Sequence, residues 1–375
     1  MTRGKKLKIL IVSSSFYPMN SPRSFRTTQL VREFARQGHD VTLYTNKRED
    51  IHDSFESEFG VTIKNLGKRK YHGVQTAHKN KMLRLFKRAV RRGLNLFFEY
   101  PDIELMFMVK NALKRESGYD LMISVAVPHP IHWGAALART PDHSIADVWV
   151  ADCGDPYMGQ TLDSFNKMFY FSRFEKSFCR KAEWITVPIE EARDGYYPEF
   201  RDKIRVIPQG FDFNEVDIDH EAYQKKVIPT FAYAGGLIPG GRDPSLFLDY
   251  LTGLDRDYKF ILYTKNIEMV KPWLEKSDGK IEVRDYIPRA ELLNVLSGMD
   301  FLVNFENRSS LMSPSKLIDY YLTGRPVLDI GSEDINKDVV DQFLNGDYSN
   351  GHRFRDIDQY RIENVCNNFI ELCNR

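Results

Sequence analysis

Leu7 to Val12 is an almost unbroken aliphatic run. A strand of that kind is expected where both faces of a sheet are covered, which is the setting of a parallel sheet flanked by helices. The residues that follow fit such a sheet. Ser13 to Arg23 is a polar loop holding Pro18 and Pro22, and Thr27 to Gln37 has helical periodicity through Leu30, Val31 and Phe34. Gly38 stands where a helix ends, and Asp40 to Thr45 resumes as a strand. This βαβ unit lacks G-x-G-x-x-G, so its first turn is not expected to hold a dinucleotide.

The alternation continues. Strands are expected at Asp120 to Val125, Val148 to Ala151 and Glu183 to Val187, with helices at His132 to Arg139 and Phe165 to Arg180. It breaks near Ile207-Pro-Gln-Gly210 and restarts at Pro229. Five strands follow: Pro229 to Ala234, Phe260 to Tyr263, Ile281 to Val283, Phe301 to Phe305 and Pro326 to Ile330. Helices between them are expected at Ser245 to Leu254, Met269 to Lys276, Arg289 to Gly298 and Ser315 to Thr323. The fold class is therefore α/β: two Rossmann-like domains facing across a cleft, residues 1–208 and 209–350. A C-terminal helical segment, residues 351–375, is expected to pack back on the first domain.

Composition narrows the classes further. With 53 Lys+Arg against 52 Asp+Glu, a formal charge of +1, 42% hydrophobic and 28% charged residues, the chain is ordinary globular protein. Disordered, collagen-like, coiled-coil and uniformly basic nucleic-acid-coating chains are excluded. Cys153, Cys179, Cys366 and Cys373 form no CxxC pair, and read as reduced thiols of a cytoplasmic protein. No stretch approaches 18 uncharged apolar residues, so a soluble or peripheral chain is expected.

Five segments in order carry a resemblance. They are Ile9 to Pro18 with Arg23, Arg26 and Leu30 to Thr42; Pro128-His-Pro-Ile-His132-Trp-Gly134 with Trp149 to Tyr157; Ile204 to Asp212; Phe231 to Leu237 with Arg242-Asp-Pro244; and Asn307 with Ser313-Pro-Ser-Lys316-Leu-Ile-Asp-Tyr320 and Gly324 to Val327. Together they resemble the GT-B-fold, family 4-like glycosyltransferases. The resemblance implies a hexosyltransferase-type enzyme. It would move a sugar from a nucleotide donor, a UDP-sugar, to a glycan or lipid-linked acceptor in cell-surface polysaccharide synthesis. Three departures stand out. Ser13-Ser-Ser15 replaces a glycine-rich loop, Gly236 occupies a frequent arginine position, and Leu311 replaces the first acid of E-x7-E, whose second falls on Asp319. Sugar, acceptor, linkage and anomeric outcome stay open.

The donor chemistry requires positive charge at the departing pyrophosphate. Ser313-Pro314-Ser315 suits a helix start, whose N–H groups attract phosphate. Lys316 lies in that first turn, Arg242 supplies a second cation, and Gly235 and Gly236 permit close backbone approach. Asn307 belongs to the same motif, and Tyr286 is a candidate nucleobase contact. Lys316, Asp319 and Tyr320 share a helix face, with Asp319 placed to accept from ribose. In the first domain, His132 and Asp155 are candidates to orient or deprotonate an acceptor hydroxyl, and Arg23 and Arg26 to hold an anionic acceptor. The D-x-D patterns at 217–219, 255–257 and 356–358 lie in turn-like segments, so no metal and no cofactor is assigned.

Two other functions fit parts of the pattern. A nucleotide-sugar 2-epimerase would use the same diphosphate grip with His129 and His132. A non-catalytic sugar-nucleotide-binding scaffold would follow from the acid missing at Leu311. Between Lys64 and Phe98 there are eleven Lys or Arg and no acid, with apolar residues at helical spacing. That segment suggests a peripheral seat on the anionic inner face of a membrane, against a core-facing stripe or a polyanion patch as alternatives.

Overall fold

The computed structural model describes residues 5–159, 167–220, 223–306, 315–331, 333–354 and 356–374. The chain divides into two compact units, Met1–Asp212 with Gln359–Arg375, and Phe213–Asp358.

The first unit runs β1 (Lys8–Val12), α1 (Pro22–Arg36), β2 (Asp40–Thr45), α2 (Glu49–Phe59), β3 (Thr62–Asn65), α3 (Lys81–Phe98), α4 (Ile103–Leu113), β4 (Tyr119–Val125), α5 (Pro130–Ala138), β5 (Ala146–Asp152), α6 (Ser172–Lys181), β6 (Trp184–Val187) and β7 (Ile204–Val206). Its strands form one parallel sheet in the order β3-β2-β1-β4-β5-β6-β7. Period-two alternation divides the aliphatic run between two cores. Leu10 and Val12 face a cluster with Val109 of α4, Trp133 of α5 and Phe178 of α6. Ile9 and Ile11 face another with Leu30 and Phe34 of α1. Because strand order reverses direction between β1 and β4, their carboxyl ends open a crevice, the usual ligand position in such sheets.

Helix α1 starts at Pro22, five residues before the expected Thr27. Ser21 caps it, its side chain accepting from the Ser24 N–H, and Pro22 fits the first turn, where no N–H is needed. The expected long helix from Phe165 is shorter: a 3-10 turn at Phe169–Phe171 leads into α6, and residues 160–166 lie outside the described residues.

The second unit comprises β8 (Thr230–Ala234), α7 (Ser245–Thr252), β9 (Lys259–Tyr263), α8 (Lys271–Leu274), β10 (Ile281–Arg284), α9 (Arg289–Ser297), β11 (Phe301–Phe305), α10 (Ser315–Leu322), β12 (Val327–Ile330) and α11 (Lys337–Leu344). Its sheet is parallel in the order β10-β9-β8-β11-β12, so the reversal falls between β8 and β11. Phe231 anchors one face, stacked on Phe301 at 4.4 Å and on Phe260 at 4.9 Å. The last helix, α12 (Ile362–Glu371), belongs to the first unit, where Val365, Cys366 and Phe369 are buried among Ile9, Leu30 and Phe34. The chain leaves and re-enters that unit side by side: the Phe211 N–H donates to the Tyr360 carbonyl, and the Ile362 N–H to the Phe211 carbonyl. Among the described residues, no helix is long and apolar enough to cross a membrane.

Candidate functional site

In the second unit the polar groups gather where β8 ends. Gly235 has φ +148°, a conformation side-chain-bearing residues rarely adopt, and an added Cβ would lie 3.2 Å from the Tyr233 hydroxyl. That hydroxyl donates to the Gly236 carbonyl at 2.9 Å. Asn266, after β9, accepts the Leu237 N–H at 3.0 Å and pins the same turn from the other side.

Lys316, in the first turn of α10, lays its ammonium over the Tyr233 ring, 4.3 Å from the centroid. The nitrogen is enclosed and has no hydrogen-bond partner among the described residues; the same holds for Arg242 Nε. Burial, reinforced by the Arg242 charge and opposed by Asp329, pulls the Lys316 pKa down to about 7. Asp329 is itself occupied, accepting from Asn304 Nδ2 and bonded to His352 Nδ1, each at 2.7 Å. Two cations held, among the described residues, without a hydrogen-bonded carboxylate between them repel each other, and an anion placed against both relieves the repulsion.

The other donor-side candidates separate. Asp319 accepts both Arg289 Nε and Nη2 on Oδ1, at 3.0 and 2.7 Å, and burial raises its pKa against that partner. Tyr320 is a core residue, not a ligand contact: it is 1% exposed and its hydroxyl accepts the Ala234 N–H at 2.9 Å, fixing the end of β8. Tyr286 is exposed, with the Lys265 ammonium 5.3 Å above its ring. Asn307, Ser313 and Leu311 lie outside the described residues. Ser315 opens α10, and its side chain lies outside the description too.

In the first unit the structure corrects two expectations. Arg26 is 2% exposed. Its Nε and Nη2 donate to Asp152 at 2.7 Å each, Nη1 to the Pro208 carbonyl at 2.6 Å, and Nη2 to the Ile207 carbonyl at 3.2 Å. With four of its five N–H groups donating inside the fold and the side chain buried, Arg26 is a structural clamp and not an acceptor contact. His132 is wholly buried: Nδ1 bonds Ser124 Oγ at 2.7 Å and Nε2 lies 3.4 Å from Cys153 Sγ. Burial pulls its pKa down to about 3, so it is neutral and enclosed, out of reach of an acceptor hydroxyl.

Arg23, Asp155 and His129 remain at the ends of β4 and β5. Arg23 Nη1 lies 3.8 Å from Asp152 Oδ2, and its guanidinium packs on Gly154, where a Cβ would come within 2.7 Å of it. Asp155 is exposed. His129 is 5% exposed, its Nδ1 has no hydrogen-bond partner among the described residues, and burial holds its pKa well below the usual value. His129 and Asn266 were not selected from the sequence as transferase residues. Of the two imidazoles in His-Pro-Ile-His only His132 was assigned to acceptor chemistry, and nothing local marks Asn266. Among the described residues no three His, Cys, Asp or Glu side chains gather into a metal-sized cluster.

The sequence model described as Glycosyltransferase Family 4 matches residues 25–215. No curated protein matches by sequence. Among solved structures, the apo lipopolysaccharide outer core galactosyltransferase WaaB superposes with a TM-score of 0.60 at 10% identity, covering 98% of this chain and 99% of its own. Anabaena HepE in complex with UDP and glucose gives 0.52 at 9% identity, over 98% and 99%. A mutant of S. aureus TarM in complex with fondaparinux, α-GlcNAc-glycerol and UDP gives 0.56 at 10% identity, over 98% and 100%. These superpositions establish the GT-B fold, of which the two parallel sheets are the Rossmann-like halves. With the family's sequence model spanning more than half of the 375 residues, the chain belongs to Glycosyltransferase Family 4 and is a glycosyltransferase.

Proposed function

We propose that the enzyme transfers a hexose from a UDP-sugar to a glycan or lipid-linked acceptor in cell-surface polysaccharide synthesis, at the inner face of the membrane. The observation that carries the donor assignment is the enclosed Lys316 ammonium, without a hydrogen-bond partner among the described residues and beside Arg242 at the end of β8. UDP in the HepE and TarM complexes agrees with it. In the reaction the bond between the anomeric carbon and the β-phosphate oxygen breaks, and a bond to the acceptor oxygen forms. Negative charge grows on the departing diphosphate, where Lys316, Arg242 and the start of α10 stabilise it. Asp155 in the first unit takes or orients the acceptor hydroxyl proton, and Arg23 holds an acceptor anion. Because the cations supply the charge a metal would otherwise bring, turnover needs no divalent ion.

Thermal-shift titration against nucleotide sugars, followed by assay of nucleotide release, tests this. UDP-sugars are expected to raise the melting temperature, and acceptor to release free UDP that persists in EDTA. No response to any nucleotide sugar would sink the donor assignment. Activity lost in EDTA and restored by manganese would sink the metal-free one. A new sugar epimer in place of transfer would return the epimerase reading, which the enclosed His132 disfavours.

A further inference from the structure

Helix α3 has no buried residue along its 18 positions. A core-facing apolar stripe is therefore excluded, yet Met82 is 82%, Leu85 68% and Phe86 65% exposed, with Phe97 and Phe98 beyond them. At 100° per residue all of these but Phe98, together with Leu83 and Val90, fall on one side of the helix. Lys81, Arg84, Lys87, Arg88, Arg91 and Arg92 cover the other. On the basic side lies a cavity of about 570 Å³ lined by Arg88, Arg91, Arg92, Asn95 and Tyr100. Among the described residues its one carboxylate, Asp102, already accepts from Arg69 at 3.0 Å, and Arg88 and Arg91 pair with none.

We infer that α3 docks on an anionic membrane, its apolar side entering the acyl boundary while the arginine cavity seats a lipid phosphate. Charge complementarity selects this occupant. A second copy would oppose one basic helix to another, whereas an anionic leaflet attracts the whole run from Lys64 to Phe98. Guanidinium groups suit phosphate because their planar N–H pairs bind two oxygens at once. The docked helix also ends against the acceptor side of the first unit. Glu99, its C-cap, accepts from Oη of Tyr157, two residues on from Asp155, at 2.8 Å and from Lys167 Nζ at 2.6 Å. The inference deepens the proposed membrane-side acceptor, but it is read without donor and so stands or falls apart from the transferase chemistry.

The test is co-sedimentation with phosphatidylcholine vesicles, with and without phosphatidylglycerol, at low and high salt. Binding is expected only to the anionic vesicles, to fade with salt, and to weaken in Phe86→Ser/Val90→Ser. Two double variants remove equal charge from the same helix: Arg88→Gln/Arg91→Gln inside the cavity and Lys81→Gln/Arg84→Gln outside it. Diffuse attraction costs both on the order of 30-fold. A phosphate seat costs the Arg88/Arg91 pair roughly a further tenfold. Unchanged donor-induced thermal shifts serve as the folding control. Equal losses in the two pairs overturn the phosphate seat. Indifference to anionic vesicles at low salt overturns the docking, as does a dimer in light scattering that the Phe86/Val90 variant splits.

Discussion

Among the described residues none hydrogen-bonds the enclosed Lys316 nitrogen, and two measurable effects follow. Lys316→Ala should lower turnover by roughly a hundredfold or more while the protein stays folded. It removes a charge-assisted contact that strengthens toward the transition state, about 2–4 kcal/mol. Near wild-type turnover, with an unchanged circular dichroism spectrum, would discard the role. The second effect is a proton. Unfolded, the amine titrates near its ordinary 10.5; folded, near 7. Between those values the unfolded chain binds more protons, so this residue's contribution to stability improves as pH rises from about 7 to 10.5. A bound diphosphate reverses the preference and calls the proton back. UDP binding at about pH 8 should therefore take up a fraction of a proton, and Lys316→Met should take up none. Calorimetry in two buffers of different ionisation enthalpy reads this directly. In the first unit, Gly154→Ala should leave stability nearly unchanged and raise the acceptor KM. The added Cβ meets the movable end of Arg23, not backbone. A KM equal to wild type would remove Arg23 from the acceptor site.

Arg26 and Asp152 show how one buried pair ties elements together. The pair joins α1 to the end of β5, Thr186 of β6 donates to the same carboxylate at 2.7 Å, and Arg26 reaches the carbonyls after β7. Asp152→Ala leaves a guanidinium buried without its counter-charge, and should cost about 3–5 kcal/mol, read as a lowered urea midpoint. A loss below about 1 kcal/mol would mean the pair is solvated in solution. This clamp also marks where sequence reasoning stops. Most strands were legible because a doubly covered parallel strand is largely aliphatic, whereas the short Thr62–Asn65 and Ile204–Val206 were not, and the Ser-Pro-Ser pattern drew attention to Lys316 together with the family motif around it. Arg26 was misread because its partner lies 126 positions away, and no local pattern distinguishes an arginine facing inward. His132 was misread for the same reason: a helix-start position says nothing of Ser124 and Cys153 closing over the ring. The start of α1 was set late because Pro22 was read as a loop residue when it occupies the first turn.

The first unit is discontinuous, with residues 213–358 set between its β7 and its α12. Deleting residues 359–375 would expose Ile9, Leu30 and Phe34 to water and remove Ile362, Val365, Cys366 and Phe369. At about 1.5–3 kcal/mol for each large apolar side chain, the loss approaches the whole stability of a domain. The truncated protein should therefore be insoluble or fail to show a cooperative melt. A soluble truncation with a sharp transition would show that the helix is dispensable. The same returning helix sets an order on biosynthesis. While the ribosome is still adding residues 213–358, the N-terminal sheet has every one of its strands but an uncovered furrow where α12 will lie. The second unit has its whole sequence outside the tunnel first and is free to finish first, although it is translated later. A chain fused after residue 358 to a linker long enough to fill the exit tunnel, and then arrested, should thus offer its N-terminal half to protease while its later half resists, the reverse of the sequence in which the two were made.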